Sequence, residues 1–139
     1  MIIAPALPKD EDATVALWHA CGLVVATNDP VAEFRLAQGK PGSDILLGRD
    51  AGMIVASVMV GHDGHRGWLY YVAVKPGHRR QGLGRQMVQA AEDWLTGHGI
   101  PRAMLLVRET NQMVIGFYEQ LGFEAIPRTL MRKVLAEKP

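Results

Sequence analysis

The stretch Val74-Lys75-Pro76-Gly77-His78-Arg79-Arg80-Gln81-Gly82-Leu83-Gly84-Arg85 is the most informative part of this sequence. An apolar run ends at Val74, a turn with glycines follows, and an amphipathic helix starts directly after it. Free N–H groups and the positive end of the helix dipole favour an anion at such a helix start. Glycine at positions 82 and 84 leaves the backbone open to a phosphate. The pattern predicts a phosphate or pyrophosphate site made by Arg79, Arg80, Gln81, Gly82, Leu83, Gly84 and Arg85.

The same turn does not match two common nucleotide-binding motifs. No Gly-Lys-Ser/Thr follows at the spacing of a Walker motif, and Gln86-Met87 stand where a dinucleotide fingerprint needs its third glycine. Two glycines are also compatible with a purely structural connection between a strand and a helix. The residues of the turn alone leave both interpretations open.

The apolar pattern upstream of the turn predicts one short strand, two helices and then three consecutive antiparallel strands. The run Met53 to Val60 is apolar at both odd and even positions except for Ser57. This pattern is expected of an interior strand that is covered on both faces. The predicted elements are the strand Met1 to Leu7, helices containing Thr14 to Cys21 and Val31 to Ala37, and the strands Ile45 to Leu47, Met53 to Val60 and Trp68 to Val74.

The pattern downstream of the turn alternates between helix and strand. It predicts a helix over Gly82 to Gly97, a strand over Arg102 to Val107, a helix capped by Asn111, and short strands near Glu124 to Ile126 and Thr129 to Val134. The fold class is therefore α/β, with one mixed, mostly antiparallel sheet of six to seven strands and four helices. Without repeats or linkers, residues 1–139 are expected to form one domain.

Composition restricts the class of partner. The net charge is +1, which gives no global field for nucleic acid or anionic lipid, so neither partner is expected. Apolar runs fall far short of the ~20 residues of a membrane helix. A single cysteine, Cys21, excludes a disulfide framework and favours a reducing cytoplasm. His62 and His65 with Asp63 lack further ligands at fixed spacing, so no metal is expected.

Two motifs together resemble the GNAT superfamily of N-acetyltransferases. The first is Arg79-x-x-Gly82-x-Gly84, and the second runs from Asn111 through Phe117-Tyr118 to Gly122-Phe123. The resemblance covers about residues 68–124 and implies acetyl-coenzyme A (acetyl-CoA) as co-substrate. Asn28-Asp29-Pro30 and the stretch Gly61 to Gly67 further resemble the small bacterial YpeA-type branch.

The resemblance also implies roles for individual residues. Backbone groups of Val72 and Val74 would hold the pantetheine arm and the acetyl carbonyl, on a strand whose bulge turns an N–H toward the thioester oxygen. Arg79 through Arg85 would cradle the pyrophosphate. Asn111 would contact the cofactor arm, and Tyr118 would protonate the departing thiolate.

The general base is the part of the mechanism that the sequence leaves open. Many members of the family carry a glutamate on the fourth or fifth strand, but this chain has none over 68–74 or 102–107. The carboxylates and imidazoles that remain are those of Glu109, His62, Asp63 and His65, and a water chain or a backbone carbonyl is an equal alternative.

The expected function is direct transfer of an acetyl group from acetyl-CoA to an amine, with no covalent enzyme intermediate. The acceptor is a small molecule or a peptide that the sequence does not identify. A non-catalytic acyl-CoA sensor on the same fold is the alternative, because a fold and a cofactor site do not fix activity. A homodimer formed through an exposed strand edge is compatible with the pattern.

Overall fold

The computed structural model describes residues 1–136, and its backbone divides into two compact units. The first unit, Met1–Leu106, contains β1 (Ile2–Pro5), α1 (Glu11–Ala20), α2 (Pro30–Ala37), β2 (Ser43–Asp50), β3 (Met53–His62), β4 (Gly67–Val74), α3 (Leu83–Gly97) and β5 (Ala103–Met104). The second unit begins at Val107 and contains α4 (Gln112–Gln120). The expectation of one domain over 1–139 stays a prediction, and residues 137–139 lie outside the described part.

One mixed sheet organises the first unit, with the strand order β1-β2-β3-β4-β5. The first four strands pair antiparallel with their neighbours, and β5 pairs parallel with β4. This confirms the α/β class, the mixed sheet and the four helices. The sheet contains five strands among the described residues, rather than the six to seven expected.

The missing strands are those predicted near the carboxyl end. Residues 124–136 form neither helix nor strand, and every one of them is exposed. Because none of their apolar side chains is buried, the hydrophobic gain that stabilises a strand is absent. Pro127 also interrupts the segment and has no N–H for a ladder. The prediction of strands near Glu124 to Ile126 and Thr129 to Val134 was wrong.

The strand predicted over Arg102 to Val107 is much shorter than expected. Only Ala103 and Met104 pair, with Gly67 and Trp68 at the start of β4. The remainder of β4 therefore has no strand partner on that edge within the residues described. Its backbone groups on this side are open to other partners.

Helices cover both faces of the sheet. On one face, α1 and α2 pack Trp18 and Phe34 against buried strand residues such as Ile45, Leu47 and Ala73. On the other face lie α3 and its buried residues Leu83, Met87, Val88, Ala91 and Leu95. Burying one such side chain contributes about 1.5–3 kcal/mol, so these layers hold the sheet rigid beneath the site.

A buried carboxylate ties the start of α1 to β2. Asp10 accepts a hydrogen bond from Leu7 N–H at 2.8 Å and forms an ion pair with Arg49 at 2.7 Å. Burial alone would raise the pKa of Asp10, but the Leu7 N–H and the Arg49 guanidinium more than offset it. The pKa of Asp10 therefore lies below 3.8.

Candidate active site

The turn between β4 and α3 alternates in backbone handedness. Arg80 has φ 65° and Gly82 has φ 75°, so both are in the left-handed region, whereas Gln81 between them has a negative φ. Alternating conformations of this kind make successive N–H groups converge on one point, and such a concavity binds anions. The sequence predicted that glycine at position 82 leaves the backbone open to a phosphate, but it predicted neither the left-handed conformation of Gly82 nor that of Arg80.

The N–H groups of this turn are free to bind a ligand. From Arg79 to Arg85 no backbone N–H donates a hydrogen bond within the described chain, and the first that does is Gln86, to Gly82 O at 3.1 Å. A Cβ added at Gly82 would meet nothing within 4 Å, so the space above the turn is open. The long helix α3 adds its positive end at the same point.

Three arginine side chains add positive charge to the turn. All three are exposed, and Arg79 Nε lies 3.4 Å from Val74 O. Arg80 and Arg85 form no ion pair with any carboxylate that the structure describes. An arginine without a carboxylate partner can give charge-assisted hydrogen bonds to a phosphate. The turn therefore fits a pyrophosphate, because it combines free backbone N–H groups with the guanidinium groups of Arg80 and Arg85, which have no carboxylate partner among the described residues.

A bulge interrupts β4 just before this turn. The register places Ala73 opposite Ser57 but Tyr70 opposite Met59, so Tyr71 and Val72 together oppose Val58. The extra residue is Tyr71, whose φ is 50°. This confirms the bulge that the resemblance implied, and it turns Tyr71 and Ala73 toward the face covered by α1 and α2.

Val74 presents its polar groups to the open edge of β4. The next residue, Lys75, donates its N–H to Val55 O on β3 at 2.7 Å. Because backbone groups alternate in direction along a strand, those of Val74 point away from β3. Its carbonyl accordingly accepts hydrogen bonds from Cys21 Sγ at 3.2 Å and Arg79 Nε at 3.4 Å.

Residues that the sequence did not assign to the site surround the bulge. The Tyr71 ring stacks on Trp18, with centroids 3.8 Å apart and planes 9° from parallel. Its hydroxyl donates to Glu33 Oε1 at 2.5 Å and accepts from Asn28 Nδ2 at 3.0 Å. Burial and the Glu33 carboxylate raise the pKa of Tyr71 to about 12. The sequence offers one signal for this cluster, Ser57, which is the one polar residue in the apolar run from Met53 to Val60, but no site was predicted from it.

The second unit carries the other predicted site residues. Asn111 caps α4, since its side chain accepts a hydrogen bond from Val114 N–H at 3.3 Å. Tyr118 lies edge-on to Phe117 and Phe123, with ring centroids 5.0 and 5.6 Å away. Burial raises the pKa of Tyr118, so its hydroxyl keeps the proton to higher pH than a free phenol. Such a group can serve as an acid at neutral pH.

The structure gives the polar hairpin tip between β3 and β4 a local structural role. Asp63 accepts hydrogen bonds from the N–H groups of Arg66 and His65, which lower its pKa. His62 Nδ1 accepts from Gly64 N–H at 3.1 Å. Glu109, in the second unit, is exposed. The carboxylate that the structure places beside the β4 bulge is instead Glu33.

Two kinds of feature are absent from the described residues 1–136. No group of three or more His, Cys, Asp and Glu side chains has a geometry suited to a metal ion. No helix is long and apolar enough to cross a membrane.

Comparison with known proteins defines the class to which this fold and site belong. Residues 11–123 match the Acetyltransferase (GNAT) family. The chain is 37% identical over 128 residues to an acetyltransferase of Pectobacterium atrosepticum, covering 92% of this chain and 91% of the relative.

Solved structures share the fold. The ribosomal-protein-S18-alanine N-acetyltransferase of Escherichia coli superposes with a TM-score of 0.73 at 27% identity, over 88% of this chain and 77% of that one. The aminoglycoside acetyltransferase AAC(6')-Iy, in complex with a bisubstrate analogue of coenzyme A, superposes with a TM-score of 0.81 at 16% identity, over 97% and 98%.

The chain belongs to the GNAT family of acetyltransferases. It is an acyl-CoA-dependent N-acetyltransferase with acetyl-CoA as its co-substrate, and the anion-binding turn after β4 suits the pyrophosphate of that molecule.

Proposed function

We propose that this enzyme transfers the acetyl group of acetyl-CoA directly to the amine of a small molecule or a peptide. The observation that carries the proposal is the order of three features along β4 and the turn that follows it. A bulge at Tyr71, outward-facing backbone groups at Val74 and a turn with free N–H groups follow one another within fifteen residues. The spacing suits a long ligand with an acyl group at one end and a pyrophosphate further along.

Each part of this stretch has its own task. The N–H groups and guanidinium groups from Arg79 to Arg85 bind the pyrophosphate. The backbone of Val72 and Val74 orients the arm and donates a hydrogen bond to the thioester carbonyl, where negative charge develops. Acetyl-CoA supplies the activated acetyl group. Holding the acetyl group in line with the amine gives most of the rate enhancement, because a reaction between two reactants held in fixed geometry becomes effectively unimolecular.

Tyr118 is the proposed acid. Tyr118 donates a proton to the departing thiolate, and its raised pKa keeps the hydroxyl protonated at neutral pH. Asn111 contacts the cofactor arm with the side of its amide that does not cap α4. The amine must be neutral to attack, and its proton leaves to water or to a nearby acceptor, with Glu33 joining Glu109 and the hairpin residues among the candidate bases.

One acceptor class is favoured by the relatives. A peptide amino terminus is favoured by the 27% identity to an enzyme that acts on ribosomal-protein-S18 alanine. The aminoglycoside enzymes share the fold at 16% identity for AAC(6')-Iy, which supports the fold alone, so amino sugars are included only as one arm of the test. We propose a peptide amino terminus as the first acceptor class to test. We also propose that the reaction takes place in the cytoplasm, where such an amine meets acetyl-CoA. A homodimer stays a prediction that sedimentation can check.

The test measures thiol release from acetyl-CoA with a panel of peptides, amino sugars, polyamines and amino acids. Calorimetry with coenzyme A shows first that the protein is competent to bind. Acceptor-dependent thiol release together with a mass gain of one acetyl group on the amine supports the proposal. Tight coenzyme A binding with no release for any amine favours the alternative, a sensor without catalytic activity.

A further inference from the structure

We infer that Ser57 and Trp18 are positioning residues that aim the Val72 N–H at the thioester carbonyl. The inference rests on the proposed function, and it concerns two buried side chains on β3 and α1 that touch neither substrate. Both residues are 0% exposed. Neither belongs to the motifs through which the sequence resembles its family.

The Ser57 hydroxyl joins the two residues to the bulge. Its Oγ accepts a hydrogen bond from Trp18 Nε1 at 3.0 Å and donates to Tyr71 O at 2.8 Å. An indole N–H can only donate, and a serine hydroxyl has a single hydrogen. The Trp18 contact therefore leaves the Ser57 hydrogen for the Tyr71 carbonyl.

Anchoring this carbonyl also fixes the next N–H. Tyr71 C=O and Val72 N–H belong to one planar trans peptide, in which the two groups point in opposite directions. Ser57 lies on β3, so the Tyr71 carbonyl is held toward β3. The Val72 N–H consequently points away from β3, toward the open edge of β4. That is the direction from which a ligand on the free edge would accept a hydrogen bond.

The bulge needs such an anchor because Tyr71 is strained. A residue with a side chain in the left-handed region costs roughly 1–2 kcal/mol, and Tyr71 lies there at φ 50°. The stack on Trp18 holds one face of the ring, and Glu33 and Asn28 hold the hydroxyl. Trp18 therefore contacts the bulge twice, through its ring and through Ser57.

Nuclear magnetic resonance of ¹⁵N-labelled protein tests the inference. Acetyl-CoA and coenzyme A share a pyrophosphate, but only acetyl-CoA has a thioester carbonyl. In the wild type the Gly82 and Gly84 amides should shift alike with both ligands, whereas the Val72 amide should shift more with acetyl-CoA. Ser57→Ala should abolish this Val72 difference and leave the Gly82 and Gly84 shifts unchanged.

A matched control separates positioning from stability. Thr14 is also fully buried, and its Oγ1 has no hydrogen-bond partner in the described chain. Thr14→Val removes a buried hydroxyl that makes no hydrogen bond to the bulge, so it should keep the Val72 difference. With the best acceptor of the panel, Ser57→Ala should lower kcat by about tenfold or more while Thr14→Val does not. The dissociation constant for coenzyme A should stay within about twofold in both variants.

The outcomes are distinguishable. If neither ligand shifts Gly82 or Gly84 in the wild type, the cofactor site is wrong and the inference falls with it. If those shifts occur and folded Ser57→Ala keeps the Val72 difference, the inference alone is overturned. Should Ser57→Ala not fold, Trp18→Phe keeps a stacked ring and removes only the N–H. That variant should show a smaller Val72 difference, and an unchanged one overturns the inference.

Discussion

The hydroxyl of Tyr71 donates a hydrogen bond to the carboxylate of Glu33, with 2.5 Å between the two oxygen atoms. The contact joins α2 to the bulged residue of β4, and the two residues lie 38 positions apart in the chain. A helix that packs beside the strand is thus connected to the backbone that the proposed reaction uses. Its strength should be measurable through the titration of Tyr71.

Tyr71→Phe tests this contact at alkaline pH. At pH 8 the variant should lose about 1–2 kcal/mol of unfolding free energy, since Glu33 and Asn28 lose a partner at a half-buried site. The folded pKa of Tyr71 is raised from 10.0 to about 12. Its stabilising effect is therefore complete below pH 10 and lost as pH rises toward 12.

The measurement is urea unfolding of both proteins at several pH values from 8 to 12. Taking the difference between wild type and variant cancels the titration of the other tyrosines. The difference in unfolding free energy between the two proteins should become smaller as pH rises. A difference that does not depend on pH would contradict the assignment of the raised pKa to Tyr71.

Gly82→Ala tests the anion-binding turn. Gly82 has φ 75°, and apart from its own chain neighbours no described residue has an atom within 4 Å of the place that a β-carbon would take. An added Cβ would therefore strain the backbone and enter the space assigned to the pyrophosphate. We expect a loss of about 1–2 kcal/mol in stability and a fall of tenfold or more, roughly 1.4 kcal/mol, in coenzyme A affinity measured by calorimetry.

Gly64→Ala is the matched control for this change. Gly64 has φ 82° and equally open surroundings, but it lies in the hairpin at the opposite end of β4. It should lose similar stability and keep its coenzyme A affinity. Equal affinity losses in both variants would argue against a ligand at Gly82.

Tyr118→Phe tests the proposed acid. Without the hydroxyl, kcat should fall by about 10²–10⁴-fold, while calorimetry gives the same affinity for coenzyme A. Burial raises the pKa of Tyr118 above 10.0, so wild-type activity limited by this group should decline only at pH values above 10. That alkaline limb should vanish in the variant. Unchanged kcat would remove Tyr118 from the mechanism.

Asp10→Asn tests the buried ion pair at the start of α1. The folded pKa of Asp10 lies below 3.8, so its carboxylate stabilises the fold above that pH and the effect is lost as pH falls through the folded pKa. At pH 7 the variant should be about 1–3 kcal/mol less stable in urea. The difference should shrink toward pH 3, and a constant difference would show that the charge is not responsible.

Much of the fold followed from apolar periodicity. The three antiparallel strands, the two early helices and α3 were predicted within a few residues, because each has one face or both faces buried. The prediction of the carboxyl-terminal strands was wrong because their apolar residues are not buried. Burial depends on the rest of the fold, so a local pattern cannot reveal it. The length of β5 was predicted wrongly for a related reason. Its pairing depends on Gly67 and Trp68, which lie more than thirty positions away in the chain.

For the candidate site, the sequence by itself determined the turn from Arg79 to Gly84, because glycine, arginine and a helix start are local properties that suit an anion. It also determined the motif around Tyr118 and, with it, the family. Only the tertiary structure decided the left-handed Tyr71 and its anchors Trp18, Ser57 and Glu33. Those contacts join residues 14 to 53 positions apart on four different elements, and a bulge is stable only when such packing offsets its strain.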